Sequence, residues 1–311
     1  MSTSTSTKSA ASKGKWFKLV WILPVALMVL FAVVLAAKGL RDLPAVQTFL
    51  TQYPGESELP QGTPVGFPPW LSWQHFLNAL FILLIIRSGW LVRTTTRPPA
   101  YWTRNNKGPI RTKTPPTKMS IHLWLHQSLD ALWILNGVVF YILIFATGQW
   151  KRLVPHSWDI FPNALSAVLQ YASLDWPSEN GWVNYNGLQL LAYFTTVFIA
   201  APLAIATGLR MSSAWPKHTA NLNKIYPIEV ARKLHLPVML YFVGFIVVHV
   251  TLVFATGALR NLNHMYAAHD GGGWTGFWFF AASLVVMIIG WIAVRPILLR
   301  PIASLTGSVT K

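Results

Sequence analysis

The sequence predicts an all-α integral membrane protein with six transmembrane helices. Only 11% of its 311 residues are charged and 53% are hydrophobic, whereas an ordinary soluble domain has about 25% charged residues. The apolar residues form six blocks of roughly 20, the length that a helix needs to cross a hydrocarbon core of about 30 Å. The 16 Trp agree with this class, because Trp gathers at membrane interfaces.

The first apolar block follows a Ser/Thr-rich, basic tail, which is also typical of a secretory signal peptide. The block is too long for the hydrophobic region of most signal peptides, so we expect a retained membrane anchor. The six predicted spans are Leu19–Ala37, Trp70–Val92, Ile121–Thr147, Leu188–Thr207, Leu234–Thr256 and Gly273–Val294.

Three spans end in nearly the same four residues: FATG at 145–148, IATG at 205–208 and FATG at 254–257. A glycine just beyond a helix can adopt the left-handed conformation and close the last turn. We interpret all three phrases as helix stop signals and not as a functional repeat.

The net charge of +16 is distributed unevenly over the loops. Lys and Arg concentrate in the N-terminal tail, loops 93–118 and 210–233 and the C-terminal tail, whereas the alternate loops hold seven of the nine acidic residues. Basic residues concentrate on the cytoplasmic side of membrane proteins. The pattern therefore predicts a multi-pass protein of a bacterial-type inner membrane with both termini cytoplasmic, and it removes the reason to infer nucleic-acid binding.

The cofactor chemistry is narrowed by the absence of cysteine. Disulfides, iron–sulfur clusters and covalently attached haem all need cysteine thiols. Any cofactor must be held by histidine, carboxylate, methionine or backbone groups. An ionisable residue within the hydrocarbon is costly, so each one is a candidate functional residue.

Nine histidines divide between the predicted spans and the loops. The loop histidines, for which we expect only solvation, are His156, His218, His264 and His269. The histidines inside predicted spans are His75, His122, His126, His235 and His249.

His235 and His249 are 14 residues apart on the fifth span. At 3.6 residues per turn and 1.5 Å per residue, this spacing puts both on one helix face, about 21 Å apart along the axis. One would lie near each membrane face, far enough apart for two stacked porphyrins.

A second ligand for each haem must come from a neighbouring helix. The direction of each span places His75 at the depth of His249, near the outer face, and His126 or His122 at the depth of His235, near the inner face. We favour the pairs His75–His249 and His126–His235, with His122 the alternative to His126. Helix bundles build cofactor sites from such inward-facing side chains, although the same residues could also form a proton relay.

These residues resemble those of the di-haem membrane cytochrome b family that includes the cytochrome b subunits of nickel–iron hydrogenases and formate dehydrogenases. WQHFLNALFILLIIRSGW, with His75, resembles the first haem-carrying helix of that family, and HLWLHQSLDALW, with His126, resembles the second. HLPVMLYFVGFIVVH, with His235 and His249, resembles the fourth. The resemblance covers roughly residues 70–258.

The resemblance implies a four-helix haem-binding bundle core with two haem b groups, whose iron ions have His75, His126, His235 and His249 as axial ligands. It also implies a quinone or quinol and a catalytic oxidoreductase subunit, of the hydrogenase, formate dehydrogenase or molybdoenzyme type, as partners. The chain departs from the family by a span before the core, which turns the core over in the membrane, and by a sixth span after it. The side on which a quinone would bind therefore cannot be carried over.

Two further charged residues lie in predicted spans. Asp130 follows His126 by one turn on the same face and could accept a proton from a quinol or hydrogen-bond the imidazole. It could equally have a structural role beside Asn136 or Gln127. Arg87 could pair with a haem propionate, but a side chain that reaches to the cytoplasmic surface is the simpler interpretation.

We therefore expect an electron-transfer subunit of a membrane complex, not a stand-alone enzyme, with membrane lipid around it. The alternative is a haem-free transporter or proton channel that uses the same His and Asp130. The loop segment 161–174 is expected to form a short helix on the outer surface. The predicted regions are a cytoplasmic tail (1–18), an anchor with an outer loop (19–69), the di-haem core (70–258), and a sixth span with a cytoplasmic tail (259–311).

Overall fold

The structure of the chain is a computed structural model that describes residues 13–107, 115–176, 180–216 and 219–311. Most of the predicted cytoplasmic tail and residues 108–114 of the basic loop lie outside the described residues, as does His218.

Six helical segments of the described residues are long and apolar enough to cross a membrane, which confirms the predicted class. The fourth consists of α6 (Gly187–Phe194), a π-helical stretch (Thr195–Ala200) and α7 (Ala201–Met211). The long helices are α1 Lys13–Arg41, α3 Pro69–Thr94, α4 Ile121–Ala146, α6 Gly187–Phe194 with α7 Ala201–Met211, α9 Ile228–Ala255 and α11 Thr275–Ala293. The shorter helices are α2 Pro44–Gln52, α5 Ile160–Ala172, α8 Ala220–Ile225, α10 Ala258–Ala267 and α12 Pro296–Ser304.

The ends of the haem-candidate helices follow local sequence signals. Helix α3 begins at Pro69, where the fixed φ of proline suits the first helical turn. The Ser120 side chain caps α4 by accepting a hydrogen bond from the Leu123 N–H at 3.2 Å. Beyond the end of α4, Gly148 has a left-handed φ of 73°, so the first FATG phrase is a helix stop as predicted.

The other two of these phrases behave differently from each other. The second FATG phrase is a helix stop, because α9 ends at Ala255 and Gly257 has a φ of 133°. IATG is not a stop, because α7 continues beyond Gly208 to Met211. A glycine inside a helix costs only about 1 kcal/mol relative to alanine, so it need not end one.

The described residues form two compact units. Among the described residues, the first contains residues 13–58, 157–176 and 186–189. In it, Arg41 forms an ion pair with Asp175 at 2.6 Å. The predicted helix in segment 161–174 is present as α5, and it packs on α1.

The second unit contains the remaining described residues, including all the candidate haem ligands. In it, α3 packs on α4 and α7 packs on α9. A buried cluster of Ala200, Val238 and Phe242 joins the fourth and fifth spans. The unit also contains three short antiparallel strands: β1 (Tyr101–Arg104), β2 (Met119–Ser120) and β3 (Gly307–Thr310). Strand β1 lies in the middle of the sheet and pairs with β2 on one side and β3 on the other.

This small sheet was not predicted, because strands of two to four residues are too short to show a clear alternation of apolar and polar residues. It joins the basic loop 93–118 to the C-terminal tail. The Trp102 side chain fixes it against α12 by donating a hydrogen bond to the Ala303 carbonyl at 3.0 Å.

Candidate functional site

The structure brings the four predicted histidines together in two pairs, each joining α9 to a neighbouring helix. The ring centres of His75 (α3) and His249 lie 6.2 Å apart, with an angle of 53° between the ring planes. The ring centres of His126 (α4) and His235 lie 6.3 Å apart, with an angle of 88°. Two pairs with almost equal separations therefore lie at different levels of one bundle.

The His75–His249 pair lies among aromatic rings. The ring of His249 stacks on Phe245 at 5.4 Å with an interplanar angle of 7°, and Tyr193 meets it edge-on at 6.1 Å. Tyr266 of α10 meets His75 edge-on at 5.6 Å. The Nδ1 atom of His75 is buried and has no hydrogen-bond partner within the described residues.

The His126–His235 pair is held by hydroxyl groups instead. The Nδ1 atom of His126 lies 3.0 Å from Ser88 Oγ, and the Nδ1 atom of His235 lies 2.8 Å from Thr207 Oγ1. Both hydroxyl residues are fully buried. A Cβ placed on Gly89 would lie 3.1 Å from His126 Cε1, so a residue without a side chain lies directly against this ring.

Comparison with known proteins decides the family. The family described as prokaryotic cytochrome b561 matches residues 66–268, which is more than half of the chain. The chain belongs to the prokaryotic cytochrome b561 family. Its members are membrane electron-transfer proteins that bind b-type haem.

A curated protein of Azospira oryzae is similar to this cytochrome b561 chain. The two are 25% identical over 198 residues, which cover 60% of this chain and 88% of the relative. The relative carries a provisional name as the YedZ1 subunit of a protein-methionine-sulfoxide reductase. No solved structure matches this cytochrome b561 chain.

The geometry of the two pairs fits b-type haem. A metal atom midway between two imidazoles has a bond of about 2.0 Å to each nitrogen, and each ring centre lies about 1.1 Å behind its nitrogen. The ring centres are then about 6.2 Å apart, close to both observed separations. Both separations therefore leave room for a metal atom between the two rings of a pair.

A layer of large side chains separates the two pairs. Phe242 follows His235 by seven residues and precedes His249 by seven, so it lies midway between them on nearly the same face of α9. Its ring meets Trp133 of α4 edge-on at 6.3 Å. The Trp133 indole N–H donates a hydrogen bond to Asn78 Oδ1 on α3 at 3.0 Å, so the layer ties the three histidine-bearing helices together.

The positions of His126 and His122 relative to His235 distinguish the two candidate ligands. His126 lies against His235, whereas His122 is buried one turn earlier and its Nδ1 has no hydrogen-bond partner in the described part of the chain. The carboxylate of Asp130 lies 3.7 Å from His126 Nε2, beyond hydrogen-bond distance. Sequence reasoning placed these residues on one helix face, and the structure agrees.

The Arg87 side chain contacts the end of α11. Its guanidinium lies over the Trp291 ring, 4.4 Å from the ring centre. One nitrogen donates a hydrogen bond to the Val294 carbonyl at 3.4 Å. Arg87 thus joins α3 to the end of α11.

The expectation that all the loop histidines are solvated is wrong for His264. This residue is 2% exposed, in α10 between the fifth and sixth spans. Its Nε2 lies 2.8 Å from Asp270 Oδ1, and its ring packs on Phe67 and Trp182. Burial lowers the pKa of His264, and its hydrogen bond to Asp270 lowers the pKa of that carboxyl group.

A buried arginine lies near His264. Arg152 is 1% exposed and donates hydrogen bonds to the carbonyls of Gly66 at 2.7 Å and Gly181 at 2.5 Å. Its guanidinium contacts the rings of Phe67 and Tyr185, at 4.8 and 5.0 Å from their centres. Burial raises the pKa of Tyr185.

Sequence reasoning missed Ser88 and Thr207, although both had a visible signal. Each is a hydroxyl residue directly followed by glycine, in a span next to a histidine-bearing helix. Because the glycine of IATG is predicted to end a helix, the threonine before it is not predicted to contact a histidine.

Proposed function

We propose that this chain is a di-haem b-type cytochrome subunit that transfers electrons between the quinone pool and a partner oxidoreductase. The observation that carries the proposal is the repeated pair geometry: two histidine pairs with ring centres 6.2 and 6.3 Å apart, both anchored on α9. One such pair could result from chance packing. Two pairs with the same separation on one helix call for one common explanation.

The ligands in this proposal are His75 with His249 for one haem and His126 with His235 for the other, within the core of residues 70–258. Bound haem supplies reversible one-electron chemistry, and the protein adjusts it through the axial ligands and burial. The chain's own contribution is to hold the imidazoles. Phe242 and Trp133 pack on each other between the two levels.

The proposed orientation of the chain in the membrane follows from the charges of its loops. With both termini cytoplasmic, the His126–His235 pair lies toward the cytoplasm and the His75–His249 pair toward the outer side. Asp130, 3.7 Å from His126 Nε2, is then the acidic group available to a quinol at the inner level.

The partner is proposed to be a separate catalytic subunit. The name of the relative from Azospira oryzae describes a subunit of a protein-methionine-sulfoxide reductase. A reductase of that kind joins the hydrogenase, formate dehydrogenase and molybdoenzyme types that the family resemblance implies. Co-purification from the native membrane identifies the partner directly.

The experiment that tests this function is a reduced-minus-oxidised visible spectrum of the purified chain with quantitation of its haem. We expect a b-type signal, two haems per chain, and partial reduction on addition of a quinol. A chain isolated from haem-replete cells that shows no b-type signal would end the proposal. The haem-free proton relay would then be the remaining interpretation of these histidines.

A further inference from the structure

We propose that Ser88 and Thr207 are positioning residues that orient the two imidazoles of the His126–His235 pair and set the electron donation of both to one haem. This inference rests on the proposed function, because it assumes iron between these rings. It assigns a role to two side chains that are not themselves ligands.

Each histidine of the pair has a contact between its Nδ1 atom and a hydroxyl group. Ser88 projects from α3 toward His126 of α4, and Thr207 projects from α7 toward His235 of α9. Each histidine is thus supported from a helix other than its own. Both hydroxyl residues have 0% exposure, so water does not compete for these contacts.

Each hydroxyl is also placed to use its single hydrogen elsewhere. Ser88 Oγ lies 3.0 Å from the Ile85 carbonyl, and Thr207 Oγ1 lies 2.8 Å from the Leu203 carbonyl. A carbonyl oxygen can only accept, so the hydroxyl donates to it and has a lone pair left for the imidazole. The imidazole Nδ1–H is then the donor in both contacts.

This arrangement fixes the tautomer of both rings. A neutral imidazole has one N–H, and a hydrogen at Nδ1 leaves the lone pair on Nε2 free to bind iron. In metal sites, a hydrogen bond from the other ring nitrogen holds the orientation of the ring and raises its basicity. The two hydroxyl groups meet this requirement without any charged residue.

Glycine follows each of the two hydroxyl residues. A Cβ on Gly89 would lie 3.1 Å from His126 Cε1, closer than most real Cβ contacts, and a Cβ on Gly208 would lie 3.8 Å from His235 Cε1. Gly89 therefore leaves room for the edge of the His126 ring, whereas the distance at Gly208 is an ordinary van der Waals contact that a Cβ would also allow.

The other pair lacks this support on at least one side. The Nδ1 atom of His75 has no hydrogen-bond partner among the described residues. His249 is held by stacking on Phe245. The hydroxyl contacts therefore act on one haem alone, which gives the test an internal reference.

The expected consequence is a difference in redox potential. An imidazole that donates a hydrogen bond through Nδ1 is a stronger electron donor to the metal and favours the oxidised state. Removal of either hydroxyl should raise the midpoint potential of the haem at His126–His235. It should leave the potential of the haem at His75–His249 unchanged.

The test uses the variants Ser88→Ala and Thr207→Val in the full chain, with potentiometric titration and low-temperature electron paramagnetic resonance as readouts. Thr251→Val is the matched control, because Thr251 lies two residues beyond His249 and, within the part of the chain that the structure describes, its hydroxyl donates to the Val247 carbonyl of its own helix at 2.8 Å. Ser88→Thr and Thr207→Ser keep the hydroxyl and should restore the wild-type potential.

We expect one of the two potentials to rise in Ser88→Ala and in Thr207→Val, with altered g-values for that haem, while Thr251→Val matches the wild type. A side chain that only satisfies its own helix carbonyl, as is common for serine and threonine, would move neither readout. Unchanged potentials and g-values in variants that keep both haems would overturn this inference and leave the proposed function intact. Wild-type protein without haem would overturn the proposed function itself.

If Ser88→Ala and Thr207→Val both lose haem, Ser88→Thr and Thr207→Ser test whether the hydroxyl group or the side-chain shape is responsible. Retention of haem at the wild-type potential in Ser88→Thr and Thr207→Ser supports the positioning role. Loss of haem in these variants too would show that the side-chain shape matters instead of the hydroxyl, and would contradict the proposal.

Discussion

The imidazole rings of His126 and His235 lie edge to face, with their centres 6.3 Å apart, and each is held at Nδ1 by a hydroxyl group of another helix. Packed rings commonly have centres about 4.5–7 Å apart, so the distance alone does not identify a metal. In the proposed di-haem cytochrome an iron lies between these rings, and the hydroxyl contacts leave Nε2 of each ring to bind it.

The choice between two neighbouring histidines can be tested by substitution. We expect His126→Ala to remove the haem at its level, because its imidazole is the one that packs on His235 among the described histidines. His122→Ala should keep both haems. The measurement is haem quantitation with the difference spectrum of each variant. If His122→Ala loses a haem and His126→Ala keeps both, the proposed pairing is wrong.

Space around the His126 ring gives a second prediction. Gly89→Ala adds a methyl group 3.1 Å from His126 Cε1, whereas Gly137→Ala adds one where no atom lies within 4 Å. The first substitution should displace the imidazole and broaden or shift the visible band of one haem. Gly137→Ala should leave the spectrum unchanged; equal effects from the two would mean that the close contact is unimportant.

Arg152 is expected to contribute strongly to stability. Arg152→Met leaves the Gly181 carbonyl without its side-chain donor and leaves the Gly66 carbonyl with the Gln149 amide alone, at 3.1 Å. A buried polar group left unpaired costs about 1–3 kcal/mol. The midpoint of thermal unfolding in detergent should fall by several degrees. Its neighbour Lys151, whose contact with the Gln61 carbonyl is long at 3.4 Å, provides the control. Lys151→Met should change the midpoint little, and an equally small effect of Arg152→Met would refute the prediction.

The pH dependence of stability should depend in part on His264. Burial lowers its pKa in the folded chain, so the unfolded chain binds the proton more readily as the pH falls through about 6.5. The depressed pKa of Asp270 acts in the same direction at lower pH. Stability should therefore be fully present above neutral pH and decline on acidification.

Thermal unfolding of the wild type and of His264→Gln between pH 7.5 and pH 5 measures this contribution. We expect a smaller loss for the variant over that range. His156→Gln, which replaces an exposed loop histidine, should keep the wild-type dependence. A His264→Gln curve parallel to that of the wild type would contradict the assignment.

The spans were predictable because length and hydropathy alone decide whether a helix can cross a bilayer. The spacing of His235 and His249 was also predictive, since a helix converts 14 residues into a defined rise and rotation. The helix stop at Gly148 follows from local chemistry in the same way. These features depend on short stretches of sequence.

Features that depend on contacts between distant segments were not predictable. Gly208 looks like a helix stop, yet packing continues α7 to Met211 and brings Thr207 against His235. His264 looks like a solvated loop residue, yet α10 buries it under Phe67 and Trp182. The strand at 307–310 becomes visible only when it pairs with Tyr101–Arg104.

The most direct test of the account is quantitation of haem in His249→Ala beside the wild type, with a redox titration of each. The account predicts two haems with separate midpoint potentials in the wild type. In the variant it predicts one haem, at the potential of the His126–His235 site. Retention of both haems in His249→Ala, or a single haem in the wild type, would contradict it.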